Sequence, residues 1–111
     1  NQIVVEFNTH GFQERLDSVL EIKVYPIIQE LISNVLKHAQ AKKMVIQLNR
    51  FSDTLNILVQ DDGMGFERRR TGGREGMGLK NVEARVKDLD GVLYIDSHRG
   101  HGTTVTVDIP C

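Results

Sequence analysis

The sequence predicts an α+β fold, a two-layer α/β sandwich in which a mixed, mostly antiparallel sheet of about five strands carries about three helices on one face. Three observations predict it. Short stretches rich in β-branched residues alternate apolar and polar side chains; longer stretches between them repeat apolar residues at helical spacing; and the order is strand, helix, strand, strand, loop, helix, strand, strand. The 111 residues suffice for one core and are too few for two. An apolar fraction of 40% and a charged fraction of 26% are those of ordinary globular proteins and exclude disordered and collagen-like classes. No apolar run reaches the length that crosses a bilayer.

Taking the elements in order, "QIVVEFN" reads as a strand near residues 2 to 8. Residues 9 to 21 read as irregular with a short helical turn. A helix follows from near Ile22 to about His38, with Pro26 in its first turn or at a kink. "KKMVIQLNRF" sets Met44, Ile46 and Leu48 against Val45, Gln47 and Asn49, which is strand periodicity. After a turn at Ser52 and Asp53, "TLNILVQD" puts Leu55, Ile57 and Val59 on one face, so the pair reads as an antiparallel hairpin. The glycine-punctuated stretch from Gly63 to Gly78 is long for a connection in so small a domain, and loops of that length tend to carry function. "GLKNVEARVKDLDG" repeats Leu79, Val82, Val86 and Leu89 at helical spacing and stops at Gly91, read as its C-cap. "VLYIDS" and "TTVTVDI", joined by "HRGHG", close the chain as a second hairpin.

Charge narrows the class. With 14 Lys and Arg against 15 Asp and Glu, the chain has none of the basic excess of a nucleic-acid binder. Arg68, Arg69, Arg70 and Arg74 crowd one loop, which by itself reads as a solvated basic stretch. Cys111 is the only cysteine, so no internal disulfide forms and a reducing compartment such as the cytoplasm is expected. The chain begins at Asn1 without a methionine, as a piece of a longer protein would.

Several short motifs could carry chemistry. In "QELISNVLKHAQA" Glu30, Asn34 and His38 fall four residues apart and share one helix face. A carboxylate and a carboxamide one turn apart are oxygen ligands of the kind magnesium takes while keeping waters and nucleotide phosphates. The alternative is a solvated row, although apolar Leu31, Ile32, Val35 and Leu36 crowd it. His38 alone reads as a cation at a helix C-terminus. His10, His98 and His101 show no ligand spacing with it, so no zinc site is expected.

In "DDGMGF", Gly63 and Gly65 follow a strand ending in Asp61, whose carboxylate can accept a hydrogen bond from an exocyclic amine. A plain turn explains these residues equally well, and the carboxylate pattern of a calcium loop is absent from the sequence. In "GREGMGLKN", Gly73, Gly76 and Gly78 precede a helix whose free N–H groups attract phosphate. No Lys-Ser or Lys-Thr follows as in a P-loop, and Asn81 stands where a dinucleotide fingerprint needs glycine. In "GHGTTVTVDIP", Thr103 opens the last strand, where its hydroxyl could complete a polar pocket beside Asp61.

The order of these motifs resembles the ATP-binding fold shared by sensor histidine kinases, DNA gyrase, the Hsp90 chaperones and MutL, the GHKL or Bergerat fold. "QELISNVLKHAQA" with "GMGLKNVEARVKDLDG" is similar to the DesK/NarX-like histidine kinases, and the resemblance covers nearly the whole chain. It implies that Asn34 is the Mg2+ ligand and that Glu30 sits beside the metal and its waters as a second catalytic residue. It implies that Asp61 accepts the adenine amino group with Thr103 in support, and that Gly63 and Gly65 shape the base pocket. Gly76, Met77, Gly78 and Leu79 would meet the phosphates at the helix start, with Lys37 and His38 as further phosphate contacts. Residues 66 to 77 would be the ATP lid.

The implied function is the ATP-binding catalytic domain of a two-component sensor histidine kinase, residues 1 to 111 being one domain of the longer protein. It would donate the γ-phosphate of Mg-ATP to a histidine on a separate dimerisation domain, for relay to a response-regulator aspartate. The expected partners are those two, with no nucleic acid and no membrane contact by this domain; the expected location is the cytoplasm, and the fragment is expected to be a monomer. Two readings stand beside it: an anti-sigma-factor serine kinase of the same fold, and a non-catalytic nucleotide-sensing module.

Overall fold

The computed structural model describes residues 3–11, 16–65 and 79–111, with His38 and Ala39 described by backbone alone. Five strands and two α-helices occur in the order β1 (Val4–His10), α1 (Ser18–Asn34), β2 (Lys43–Arg50), β3 (Thr54–Asp61), α2 (Leu79–Asp88), β4 (Val92–Ser97) and β5 (Thr103–Pro110). Together with a π-helical turn at Val35–Ala39, these are all the regular elements among the described residues. The sheet order is β1-β2-β3-β5-β4, with β1 parallel to β2 and every other pair antiparallel. The sheet is therefore mixed and mostly antiparallel, as its two hairpins require.

Alternation builds the core. Leu55, Ile57 and Val59 of β3 are buried on the face that also carries Met44 and Ile46 of β2 and Val105, Val107 and Ile109 of β5. Onto this face α1 lays Val24, Ile27 and Leu31 and α2 lays Leu79, Val82 and Val86, each set at helical spacing.

Strand β1 runs Val4–His10 where residues 2 to 8 were expected, and three helix boundaries also differ from the sequence expectation. Helix α1 starts at Ser18, within the stretch expected to be irregular, so Pro26 lies inside the helix beyond its first turn. At its other end the backbone widens into the π turn before Gln40 takes the left-handed conformation with φ +53°. Helix α2 ends in a Schellman arrangement: Gly91 N–H donates to the Val86 carbonyl at 2.9 Å and Asp90 N–H to the Lys87 carbonyl at 3.0 Å. The left-handed residue there is Asp90, φ +58°, and not Gly91. Glycine is needed at 91 for space, since a Cβ would stand 2.7 Å from the Asp108 carbonyl oxygen.

Connectivity decides where the helix ends fall. Helix α1 leads through the π turn into the start of β2, beside the end of β3, because Met44 pairs with Asp61. Helix α2 leads at its C-terminus into the start of β4, the opposite end of the sheet, because Ser97 at the far end of β4 pairs with Thr103, the partner of Asp61. The C-terminus of α1 and the N-terminus of α2 thus meet the sheet at the same end.

Candidate functional site

That shared end carries the polar residues. One row crosses the sheet from Val5 through Met44, Asp61 and Thr103 to Ser97. Asp61 is the fourth inward-facing member of β3 after Leu55, Ile57 and Val59, and the only buried charged side chain among the described residues. Its Oδ1 accepts the Gly63 N–H at 2.8 Å, and Thr103 gives a second backbone hydrogen bond. A carboxylate has about four acceptor positions, so two remain for a ligand donor. Burial raises the Asp61 carboxyl above its ordinary value and adjacent Asp62 adds to the rise, while the Gly63 and Thr103 bonds oppose it.

The loop after Asp61 is seated by glycines. Gly65 has φ +62°, and a Cβ there would stand 2.2 Å from the His98 carbonyl oxygen and 2.8 Å from that of Gly102. Gly102, φ +80°, is as tight: a Cβ would stand 2.2 Å from the Asp61 carbonyl oxygen. The β3 end and the β4–β5 turn therefore touch backbone to backbone, and the Gly100 N–H donates to the Met64 carbonyl across the contact. Only glycine permits both the approach and the conformation.

Thr103 takes a different part from the one expected of its hydroxyl. Its backbone N–H serves Asp61, while its Oγ1 lies 2.8 Å from Ser97 Oγ. Ser97, which also donates to the Gly102 carbonyl at 3.3 Å, was missed in the sequence; its place at the end of β4, opposite Thr103, is the signal that finds it. Asp62 was missed as well. Its exposed carboxylate accepts the N–H groups of Lys42 and Lys43 at 2.8 and 2.9 Å, tying the end of β3 to the chain leaving α1. Those bonds hold its carboxyl below the ordinary value.

On α1, Glu30 and Asn34 are half-buried, one turn apart. Among the described residues, the buried Asn34 side-chain nitrogen has no hydrogen-bond partner. An orphaned buried N–H donor costs about 1–3 kcal/mol, and an acceptor such as a phosphate oxygen would satisfy it, while a cation could take only the carboxamide oxygen. Glu30 lines a groove of about 310 Å3 between the helices, with Pro26, Gln29 and Ser33 of α1 and Asn81 and Arg85 of α2. Lys37 is exposed in the π turn, whose backbone includes His38. Leu79 opens α2 with its side chain in the core, so its backbone N–H is what it can offer an anion. Gly76, Met77 and Gly78, with the expected lid and its arginines, lie outside the described residues.

The structure thus brings Asp61, Gly63, Gly65 and Thr103 into one cluster, and the chain path sets the Asn34 end of α1 and the Leu79 end of α2 at the same end of the sheet. Among the described residues no group of three His, Cys, Asp or Glu side chains could hold a metal. An oxygen-ligated ion here would take Asn34 and its remaining ligands from water and phosphate, which is how magnesium is bound beside nucleotides.

The chain is similar to known proteins over most of its length. The family model described as histidine kinase-, DNA gyrase B-, and HSP90-like ATPase matches residues 19–111. The sensor histidine kinase ComP of Bacillus subtilis is 35% identical over 106 residues, covering 95% of this chain and 14% of ComP. The oxygen sensor histidine kinase NreB of Staphylococcus carnosus is 32% identical over 108 residues, covering 97% of this chain and 31% of NreB. The chain therefore spans less than a third of these relatives. Among solved structures, the histidine kinase domain of the Erythrobacter litoralis EL346 blue-light activated kinase superposes with a TM-score of 0.73 at 26% identity, over 96% of this chain and 55% of that one. The Acinetobacter baumannii histidine kinase AdeS, at 20% identity and a TM-score of 0.78 over 97% of this chain and 54% of that one, shares the fold.

Proposed function

Because this chain belongs to the histidine kinase-, DNA gyrase B-, and HSP90-like ATPase family, we propose that it is the ATP-binding catalytic domain of a two-component sensor histidine kinase. The observation that carries the reading is the pairing of a buried strand-end carboxylate, Asp61, with an orphaned buried amide, Asn34, at one end of the sheet. Asp61 has acceptor positions to spare for the adenine amino group, and Gly63 and Gly65 would shape the base pocket beside it. Asn34 would hold magnesium, with Glu30 acting through its waters. Magnesium, when bound, neutralises charge on the phosphates.

The rest of the reaction belongs to this chain's own groups. The N-terminus of α2 at Leu79 receives phosphate, and the family resemblance adds Gly76, Met77 and Gly78, which lie outside the described residues, as further phosphate contacts. Lys37 adds positive charge from the π turn that follows α1, and the family resemblance makes His38 a further phosphate contact. Glu30, at the groove wall, orients what approaches the γ-phosphate from outside. The acceptor is a histidine on a separate dimerisation domain: its imidazole nitrogen bonds to phosphorus as the bond to the β-phosphate oxygen breaks. A response-regulator aspartate receives the group next. Oligomerisation resides in the dimerisation domain, so the 111-residue domain alone is monomeric, and its place is the cytoplasm. Among the described residues no helix is long and apolar enough to cross a membrane.

Calorimetric titration with ATP in the presence and absence of magnesium tests the reading. Saturable binding that strengthens with the metal is expected, and no heat at millimolar nucleotide rejects it.

A further inference from the structure

Two consecutive aspartates stand where β3 ends, and they serve different sides of the site. Asp61 is buried and Asp62 is exposed. The Asp62 Oδ1 accepts two backbone N–H groups at once, that of Lys42 at 2.8 Å and that of Lys43 at 2.9 Å. The Asp62 N–H in turn donates to the Lys43 carbonyl at 3.3 Å. The peptide units that enter β2 are therefore clamped by a single residue of the neighbouring strand end.

What the clamp holds is the end of an uncommon connection. Between Asn34 and Lys42 the chain makes the π turn at Val35–Ala39 and then sets Gln40 in the left-handed region, φ +53°. The turn holds one residue more than regular winding needs, and few residues other than glycine take a positive φ. Conformations of this kind persist only where their surroundings over-determine them. Val35 is buried in the core at one end of the connection, and at the other end the Asp62 carboxylate fixes Lys42 and Lys43. Asn34 is the last residue of α1 and Lys37 lies within the turn, so the winding of this connection decides where both side chains stand.

Resting on the ATP-binding reading above, we infer that Asp62 is a positioning residue for the phosphate and metal half of the site. It acts through the backbone of Lys42 and Lys43 and not on the nucleotide. The clamp keeps the π turn and left-handed Gln40 in place, and so holds Asn34 and Lys37 in fixed relation to Asp61. One peptide unit then joins the carboxylate that receives the base to the carboxylate that sets the metal's ligand.

The test measures ATP affinity by calorimetry with and without magnesium and takes the ratio of the two as the metal factor. A smaller folded fraction weakens both affinities alike and leaves that ratio unmoved, which separates positioning from mere stability. Asp62→Ala is expected to lower the metal factor at least fivefold and to speed amide exchange over residues 35–43 in the chain without ligand. Asp62→Asn, which keeps a neutral oxygen able to accept both bonds, is expected to stay within twofold of the parent. Adding Gln40→Gly to Asp62→Ala makes the left-handed backbone easy to hold and is expected to win back at least half of the lost factor, a gain no misfolded variant would show. A metal factor within twofold of the parent in Asp62→Ala overturns this inference alone. So does a loss in Asp62→Asn equal to that in Asp62→Ala, which would mean that the charge acts on the metal directly, and so does no recovery with Gln40→Gly. An unsubstituted chain that gives no heat with ATP overturns the ATP-binding reading itself, and one that binds ATP regardless of magnesium overturns the metal's place at Asn34; this inference falls with either.

Discussion

Asp61 Oδ1 and the Gly63 N–H stand 2.8 Å apart, so the loop leaving β3 folds back onto the carboxylate that ends the strand. Asp61→Asn keeps an oxygen that can hold Gly63 but replaces the other acceptor with a donor. A ligand amine would then meet a donor in a buried place, at a cost of roughly 1–3 kcal/mol. ATP affinity is expected to fall by about 5- to 150-fold, and calorimetry giving an unchanged constant would remove Asp61 from the site.

Asp61 and Asp62 are neighbours whose effects on acid stability have opposite signs. The Asp61 carboxyl is raised above 3.8 on folding. Between 3.8 and that higher folded value the folded state binds more protons, so stability falls as pH rises and stays reduced above the window. Asp62 is lowered from 3.8, so its contribution is present above 3.8 and is lost as pH falls through its lower folded value. Melting curves across acid to neutral pH should show Asp61→Asn more stable than the parent near neutrality and Asp62→Asn less stable, with both differences closing under strong acid. Parallel curves for both variants would sink the assignment.

Asn34→Ala deletes the orphaned amide, which leaves the unliganded fold with one fewer unsatisfied buried group. The variant should be as stable as the parent within about 1 kcal/mol, while its nucleotide affinity should become nearly indifferent to magnesium. Wild-type metal dependence in the variant would mean the ion has another ligand.

Gly65→Ala and Gly102→Ala strain one backbone contact from its two sides. Each left-handed backbone costs about 1–3 kcal/mol for a residue with a Cβ, and the close carbonyl oxygens add to that. Both should lower the melting temperature, and the double variant should lose less than the sum, because opening the contact once relieves both. Strict additivity would show that the two positions act separately.

How much of this was legible in the sequence depends on the range of the interaction. The period-two rows of β2 and β3 and the 3.6-residue repeat of α2 are local, and they placed the hairpins and the sheet in the right class. Asp61 and Asn34 were singled out because motif order resembles a known family; the burial of one and the unpartnered nitrogen of the other cannot be read from a motif. The start of α1 was misjudged because Pro26 reads as a first-turn residue; tertiary packing of Leu20 and Val24 against the core carries the helix past it. Ser97 and Asp62 were passed over because their partners, Thr103 and the Lys42–Lys43 backbone, become neighbours only when the sheet forms. The left-handed Asp90 was hidden by Gly91, which sequence rules favour for that conformation and which serves here to admit a close neighbour.

The widened turn at Val35–Ala39 also bears on how this helix tolerates change in length. Such a turn holds one residue more than regular winding needs. Losing a residue there would return the segment to ordinary geometry with its flanks still aligned. Losing one within Ser18–Asn34 would rotate everything downstream by about 100°, swinging the amide away from its partner site. Natural length variation in this helix should therefore gather at its last turn, and alignments that scatter single gaps along its body would misplace every residue that follows.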